Sequence, residues 1–243
     1  LPSKTMMKIK NKPLLDYVYN QVSYSKKISK IVIATTTLSE DDAIIDYAKS
    51  KNISIFRGNS ENVLDRFFQC AKKFCFTNIV RITADNPLID PSIIDSCIEE
   101  FQKKDYDYVS NTISKKNNVW QYDLNGFPHG MAIEAFSLTS LEKAWKNAKL
   151  KSEKEHVTPY IIKNQDFFHL GFIKNKEDFS NMRLTVDHKE DFELIKYLIE
   201  HIPLNKFFKM SEIIEYLKNN NSILESNSKF SFNEGYLKSL QNE

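Results

Sequence analysis

Arg81-Ile82-Thr83-Ala84-Asp85-Asn86-Pro87-Leu88-Ile89-Asp90 decides how this chain is read. With Ile79 and Val80 ahead of it, the stretch begins as a buried strand that Pro87 and Pro91 forbid from continuing. Asp85 therefore falls just past the strand's carboxyl end, the edge where open α/β sheets bind ligands. A carboxylate placed there can hold a hard cation against a phosphate. Asp and Asn before Pro are also ordinary turn chemistry. Spacing alone favours the turn, so the rest of the chain must decide.

Working outward, short β-branched runs alternate with helical patterns. Ile31 to Thr36 reads as a buried parallel strand, leading through Ser39-Glu40-Asp41-Asp42 into a helix over about 41–50. Ile53 to Phe56 is the next strand, followed by a helix carrying Val63, Leu64, Phe67 and Phe68. Ile79 to Thr83 is the third, followed by a helix from Pro91 to Phe101 with Pro near its first turn. This βαβαβα order predicts a mostly parallel sheet covered by helices on both faces.

The second half is less regular. Tyr108 to Asn111 is a short strand, and 117–128 is a long excursion or hairpin ending in Phe127-Pro128-His129-Gly130. Met131 to Phe136 alternates as a strand and Ser137 caps a helix. Glu153 to Ile162 is helical but interrupted near Pro159. Phe167 to Ile173 and Arg183 to Val186 read as strands, and Asp187 to His201 and about 211–219 as helices. Residues 1–218 are thus one domain, and 219–243 a polar, Asn/Ser-rich, loosely held tail.

The 243 residues carry 34 basic and 32 acidic side chains, a net charge of +2. No basic stripe for nucleic acid or membrane stands out. Cys70, Cys75 and Cys97 show no metal or disulfide spacing and are expected to be buried free thiols in a reducing cytoplasm. No apolar run approaches transmembrane length and no signal peptide is expected. The chain opens on Leu1-Pro2-Ser3-Lys4 without an initiator Met, so its natural start is expected to be missing.

Asp187, after Leu184 to Val186, is a second strand-end carboxylate. If the two strands run parallel and close, Asp85 and Asp187 converge, the arrangement that holds Mg²⁺ against substrate phosphates. On its own, Asp187 reads better as the N-cap of the following helix. Five glycines supply neither GxGxxG nor a Walker A loop. A nucleotide enzyme would need another cradle.

Several motifs occur in order: Lys12-Pro13-Leu14-Leu15, Ile33-Ala34-Thr35-Thr36, Phe56-Arg57-Gly58, Val63-Leu64-Asp65-Arg66, the Arg81–Asp90 stretch, Glu155-His156-Val157-Thr158-Pro159-Tyr160, Arg183-Leu184-Thr185-Val186-Asp187, and Asn233-Glu234-Gly235-Tyr236 with Lys238-Ser239-Leu240. Together they resemble the cytidylyltransferase family named for spore-coat polysaccharide biosynthesis, a branch of the acylneuraminate and 3-deoxy-octulosonate cytidylyltransferases. The resemblance runs over essentially the whole chain.

It implies a three-layer α/β/α, Rossmann-like nucleotide-diphospho-sugar transferase fold of the glycosyltransferase-A-like kind, with a mostly parallel mixed sheet. It implies a cytoplasmic transferase that joins CTP to an acidic, nonulosonate-type sugar with Mg²⁺ and releases pyrophosphate for surface polysaccharide or glycan synthesis. Relatives of this kind suggest a homodimer.

The family's first strand and its triphosphate loop, Gln-Ala-Arg-x-x-Ser-x-Arg-Leu-Pro-x-Lys, are represented only by Leu1-Pro2-x-Lys4. The first strand is thus expected to be missing, and the chain to be weak or inactive. By the same matching, Lys4 contacts phosphate, Asp85 and Asp187 hold the metal, and Ser60, Asp65 and Arg66 approach the base and ribose. His129, Glu134, Glu155 and His156 fall in the sugar-facing region. There the family's Gly-x-Asp-x-Glu is replaced by Gly130-Met131-Ala132-Ile133-Glu134, and Ala132 cannot ligate a metal or hydrogen-bond a sugar. Two alternatives stay open: another sugar nucleotidyltransferase or glycosyltransferase of the same fold, and an inactive remnant or binding protein of a polysaccharide operon.

Overall fold

The computed structural model describes residues 1, 3–203, 205–220, 223–224, 227, 229–230, 232–241 and 243. After a 3₁₀ turn at Lys4–Met6, the order is β1 (Lys8–Ile9), β2 (Lys12–Pro13), α1 (Leu14–Ser23), β3 (Val32–Thr36), α2 (Asp42–Ser50), β4 (Ser54–Gly58), α3 (Val63–Lys73), β5 (Asn78–Arg81) and α4 (Pro91–Lys103). Then follow β6 (Tyr108–Ser110), β7 (Ile113–Lys116), β8 (Val119–Tyr122), β9 (Glu134–Ser137), α5 (Leu138–Asn147), α6 (Lys151–His156), α7 (Pro159–Lys163), β10 (Leu170–Phe172), α8 (Lys189–His201), α9 (Met210–Lys218) and α10 (Glu234–Gln241).

Local chemistry sets the helix starts. The Asn62, Asp90 and Ser137 side chains accept backbone N–H groups at the heads of α3, α4 and α5. Each satisfies a donor that the first helical turn leaves open. Asn117 and Asn118, both at positive φ, turn β7 into β8, so the irregular stretch after residue 113 is a hairpin.

The central sheet has the order β10-β6-β9-β5. β10 runs parallel to β6, while β9 lies antiparallel to both β6 and β5. β3 and β4 form a separate parallel ladder. Successive strand residues point to opposite faces, and here both faces are buried. Val80, Val109 and Ala135 join the core under α1, α4, α8 and α9. Their neighbours Ile79, Tyr108 and Phe136 join the core under α3, α5 and α7. This is the α/β/α layering expected from the alternating pattern.

Three expectations are corrected. Arg183 to Val186 is extended but forms no ladder, making one bridge to His129. Cys75 is exposed, although Cys70 and Cys97 are buried. The stretch read as a loose polar tail contains α10, which packs against α6 through Ser239, whose hydroxyl lies 2.9 Å from both His156 Nε2 and Glu155 Oε2. Among the described residues no helix is long and apolar enough to cross a membrane.

Candidate active site

β5 ends at Arg81, and the chain turns through Thr83 to Asp85 at the sheet's carboxyl edge. The Thr83 hydroxyl donates to Asp85 Oδ1, fixing that carboxylate. Its other oxygen, Oδ2, lies 3.0 Å from Lys4 Nζ, and the same ammonium lies 2.7 Å from Asp187 Oδ1. One cation thus bridges two carboxylates. The two segments are also tied through main chain, with Val186 N donating to the Asp85 carbonyl at 2.9 Å. Pro2, in the loop end matched to the family, lies outside the described residues.

Asp187 is free for this role because it does not cap α8. Asp191 does so instead, accepting the N–H groups of Asp187 and His188 at 3.0 and 2.9 Å. Arg183 organises the rest. Its Nε and Nη2 donate to Asp191 at 2.9 and 3.1 Å, Nη2 reaches Asp187 Oδ2 at 2.7 Å, and Nη1 lies 2.8 Å from His129 Nδ1. Sequence reasoning gave Arg183 and Asp191 no role. The available signal was Asp191 standing three residues after His188, the spacing at which an acid reaches back to a helix start.

Gly130 makes the close approach possible. It sits at φ 109°, and a Cβ there would stand 2.5 Å from the Leu184 carbonyl carbon. Only glycine accepts that conformation without strain, so the 129–131 segment can run against 183–185.

Charge follows geometry. Burial opposes the Asp187 charge, but the Lys4 hydrogen bond and the charges of Lys4 and Arg183 outweigh it and hold this carboxyl below its ordinary range. Burial likewise works against the Lys4 ammonium, yet Asp85 and Asp187 push its pKa up. Burial and then Arg183 push His129 down to about 4. Neutral His129 accepts from Arg183 at Nδ1, which leaves its proton on Nε2.

A cavity of about 520 Å³ opens beside the two carboxylates, lined also by His129, Glu134, His156 and Ala132. Glu134 is held from within. It accepts from Arg81, Tyr108 and Thr158 and is buried. The opposite wall comes from the chain's last residues: the Tyr236 ring meets Tyr122 and His156 edge-on at 4.9 and 5.3 Å, and Phe232 meets His129 at 5.1 Å. Glu155 turns to Ser239 and does not line the cavity. Nor do Ser60, Asp65 and Arg66. Asp65 accepts from Trp145 Nε1 at 2.9 Å, and Arg66 Nη1 donates to the Asn59 carbonyl at 2.7 Å.

A sequence model of the family described as "Cytidylyltransferase" matches residues 1–230. The chain belongs to the cytidylyltransferase family. It is a CTP-using nucleotidyltransferase by that membership.

It is 36% identical over 230 residues to an uncharacterized protein of Methanocaldococcus jannaschii, covering 94% of this chain and 89% of that one. It is 30% identical over 229 residues to the spore coat polysaccharide biosynthesis protein SpsF of Bacillus subtilis, covering 90% and 89%. The solved cytidylyltransferase of Leptospira borgpetersenii superposes with a TM-score of 0.84 at 31% identity, covering 96% and 93% of the two chains. A CMP:2-keto-3-deoxy-manno-octonic acid synthetase complexed with CTP shares the fold, with a TM-score of 0.63 at 13% identity and coverage of 82% and 92%.

Among the described residues, no three His, Cys, Asp or Glu side chains gather as a metal-holding group.

Proposed function

We propose that this protein transfers the cytidylyl group of CTP to a sugar acid, releasing pyrophosphate, in the synthesis of a surface polysaccharide or glycan. The observation that carries the reading is Lys4 Nζ held at 3.0 and 2.7 Å between Asp85 and Asp187, beside a polar cavity. The pair already accommodates one cation, so the donor set fits another. Mg²⁺ is commonly held by one or two carboxylates, with substrate phosphate and water completing its shell.

In this reading Asp85 and Asp187 hold Mg²⁺. When bound, the ion neutralises charge that builds on the α-phosphate and leaving pyrophosphate. Thr83 and Arg183 keep the two carboxylates aimed. Lys4 leaves them for the triphosphate, where its ammonium acts as a point charge. The acceptor sits in the cavity, whose size suits a monosaccharide acid, and Lys238 brings positive charge to its lining. His129 offers Nε2–H to the acceptor. The protein positions an acceptor hydroxyl in line with the α-phosphorus and supplies little covalent chemistry of its own.

Ser60, Asp65 and Arg66 belong in this account to the base and ribose side, away from the acceptor cavity. The test is direct. Titration with CTP and Mg²⁺ by calorimetry should show binding that Asp85→Asn weakens at least about 100-fold. Equal affinity in the variant would remove the metal assignment.

A further inference from the structure

His156 ends α6, and its side chain lines the cavity beside the two carboxylates. The chain leaves it through Val157, a buried β-branched residue at φ 74° and ψ −55°. Across that residue Thr158 N donates back to the His156 carbonyl at 2.9 Å, which makes a γ-turn of the rare, strained kind. A valine held there is an outlier, and such residues cluster at active sites. The turn sets two neighbours to work on one site. Thr158 donates to the buried Glu134 carboxylate, and His156 borders the cavity.

Hydrogen bonding fixes the His156 tautomer. Ser239 Oγ lies 2.9 Å from His156 Nε2, 2.9 Å from Glu155 Oε2 and 3.1 Å from the Gly235 carbonyl. The carboxylate and the carbonyl can only accept, so the single hydroxyl proton goes to them, and the charged Glu155 takes the larger share. Ser239 then offers His156 a lone pair. Nε2 therefore carries the imidazole proton, and Nδ1 is bare. That nitrogen has no hydrogen-bond partner among the described residues, and protein does not enclose it. The cavity is the open space beside it. His129 is the converse: Arg183 occupies its Nδ1, and the donor Nε2–H is left over.

We propose, on the reading that this site carries out cytidylyl transfer, that His156 is its general base, with Nδ1 taking the proton of the attacking acceptor hydroxyl. As that proton leaves, the hydroxyl oxygen's electron pair forms the bond to the α-phosphorus. The bond from the α-phosphorus to the bridging oxygen breaks, and its pair departs on pyrophosphate. The imidazolium keeps Nε2–H on Ser239, with the Glu155 carboxylate one hydrogen bond beyond, and passes its new proton to water after the products leave. Ser239 and Glu155 are positioning residues that hold the tautomer.

The charged and titratable groups around the ring are Glu155 on α6, Glu134 and Arg81 from the sheet, Tyr122 on β8, and Tyr236 and Lys238 on α10. Burial holds the ring below the ordinary histidine value, Arg81 adds to this, and Glu155 and Glu134 oppose it. Near neutral pH the ring is thus uncharged and able to accept a proton.

The test combines ¹⁵N NMR of the histidine rings with turnover of CTP, Mg²⁺ and a panel of octulosonic and nonulosonic acids, read as pyrophosphate and CMP-sugar. The spectrum should show His156 protonated at Nε2 and bare at Nδ1. His156→Gln keeps a donor for Ser239 but cannot take a proton. It should lower kcat at least about 100-fold with CTP affinity held, and the acid limb of the wild-type pH–rate profile should disappear with it. Ser239→Ala keeps the base but frees its tautomer, and should lower kcat about tenfold. An Nδ1–H tautomer, or His156→Gln turning over within about threefold of wild type, overturns the base and leaves cytidylyl transfer standing. So does a loss of CTP affinity as large as the loss of kcat. A wild-type chain that releases no pyrophosphate with any acid of the panel removes the underlying reading, and the base with it.

Discussion

The Lys4 ammonium and the Asp187 carboxylate meet at 2.7 Å although 183 positions separate them in the chain. With Asp85 on its other side, Lys4 fills the place between two acids that a divalent cation would need. On the proposed reading, nucleotide and metal displace it together, one taking the ammonium and the other the carboxylates.

Lys4→Gln removes that competitor. Charge-assisted hydrogen bonds contribute about 1.5–3 kcal/mol each. Mn²⁺ binding in the absence of nucleotide, followed by electron paramagnetic resonance, should tighten at least about tenfold. Affinity for CTP should fall by a similar factor. Unchanged Mn²⁺ affinity would separate Lys4 from the cation site.

His129 sets a pH dependence. Its folded pKa is about 4, below its ordinary 6.5, so the unfolded chain binds the proton more readily. This contribution is fully present above pH 6.5 and is lost as pH falls toward 4, by on the order of 3 kcal/mol. Asp187, whose pKa is also lowered, adds loss at still lower pH, where its carboxyl protonates. Urea unfolding across this range should show the decline, and His129→Gln should reduce it between pH 6.5 and 4, leaving the smaller part due to His156, whose pKa burial also lowers. A wild-type profile already flat there contradicts the assignment.

Gly130→Ala places a methyl group against the Leu184 carbonyl in a backbone conformation alanine resists. The expected cost is about 2–4 kcal/mol, read from the thermal or urea transition. Gly235→Ala is the control, because the nearest atom to its added Cβ is His156 Cε1 at 3.9 Å. Equal effects at the two positions would show that the 130–184 approach carries no special constraint.

Glu134 is a positioning residue in this geometry, because Arg81, Tyr108 and Thr158 already occupy its carboxylate. Glu134→Ala leaves Arg81 buried and uncompensated, which costs about 3–5 kcal/mol. Glu134→Gln, keeping shape and acceptor oxygen, should recover part of that stability and leave CTP affinity within about threefold. Loss of CTP binding at full stability would place Glu134 in direct contact with substrate instead.

Much of the fold was legible because its causes are local. β-branched runs closed by Thr, Ser, Pro and Gly mark the first three strands, and Ser137 caps its helix as read, while the Asn62 and Asp90 caps emerged only from the structure. The reversal of β9 was not legible, because its direction depends on which neighbours it meets and not on its own alternation. Asp85 could be placed past its strand from Pro87 and Pro91, whereas Asp187 could be read as its partner only on the condition that the two segments lie close, or from the resemblance. Asp187 looked like a helix cap until Asp191 proved to take that duty. The wall made by Phe232 and Tyr236 was hidden in a stretch whose composition reads as a solvated tail. Ser60, Asp65 and Arg66 came from resemblance and lie outside the cavity beside the acids.

The central claim is cytidylyl transfer at the Asp85–Asp187 pair. Its most direct test follows pyrophosphate and the nucleotide product by mass, with Mg²⁺, each of the four nucleoside triphosphates and a panel of sugar acids. The expected result is a CMP-sugar and an equivalent of pyrophosphate from CTP alone, dependent on acceptor and lost in Asp85→Asn. A product from another triphosphate, or turnover that survives Asp85→Asn, would contradict it.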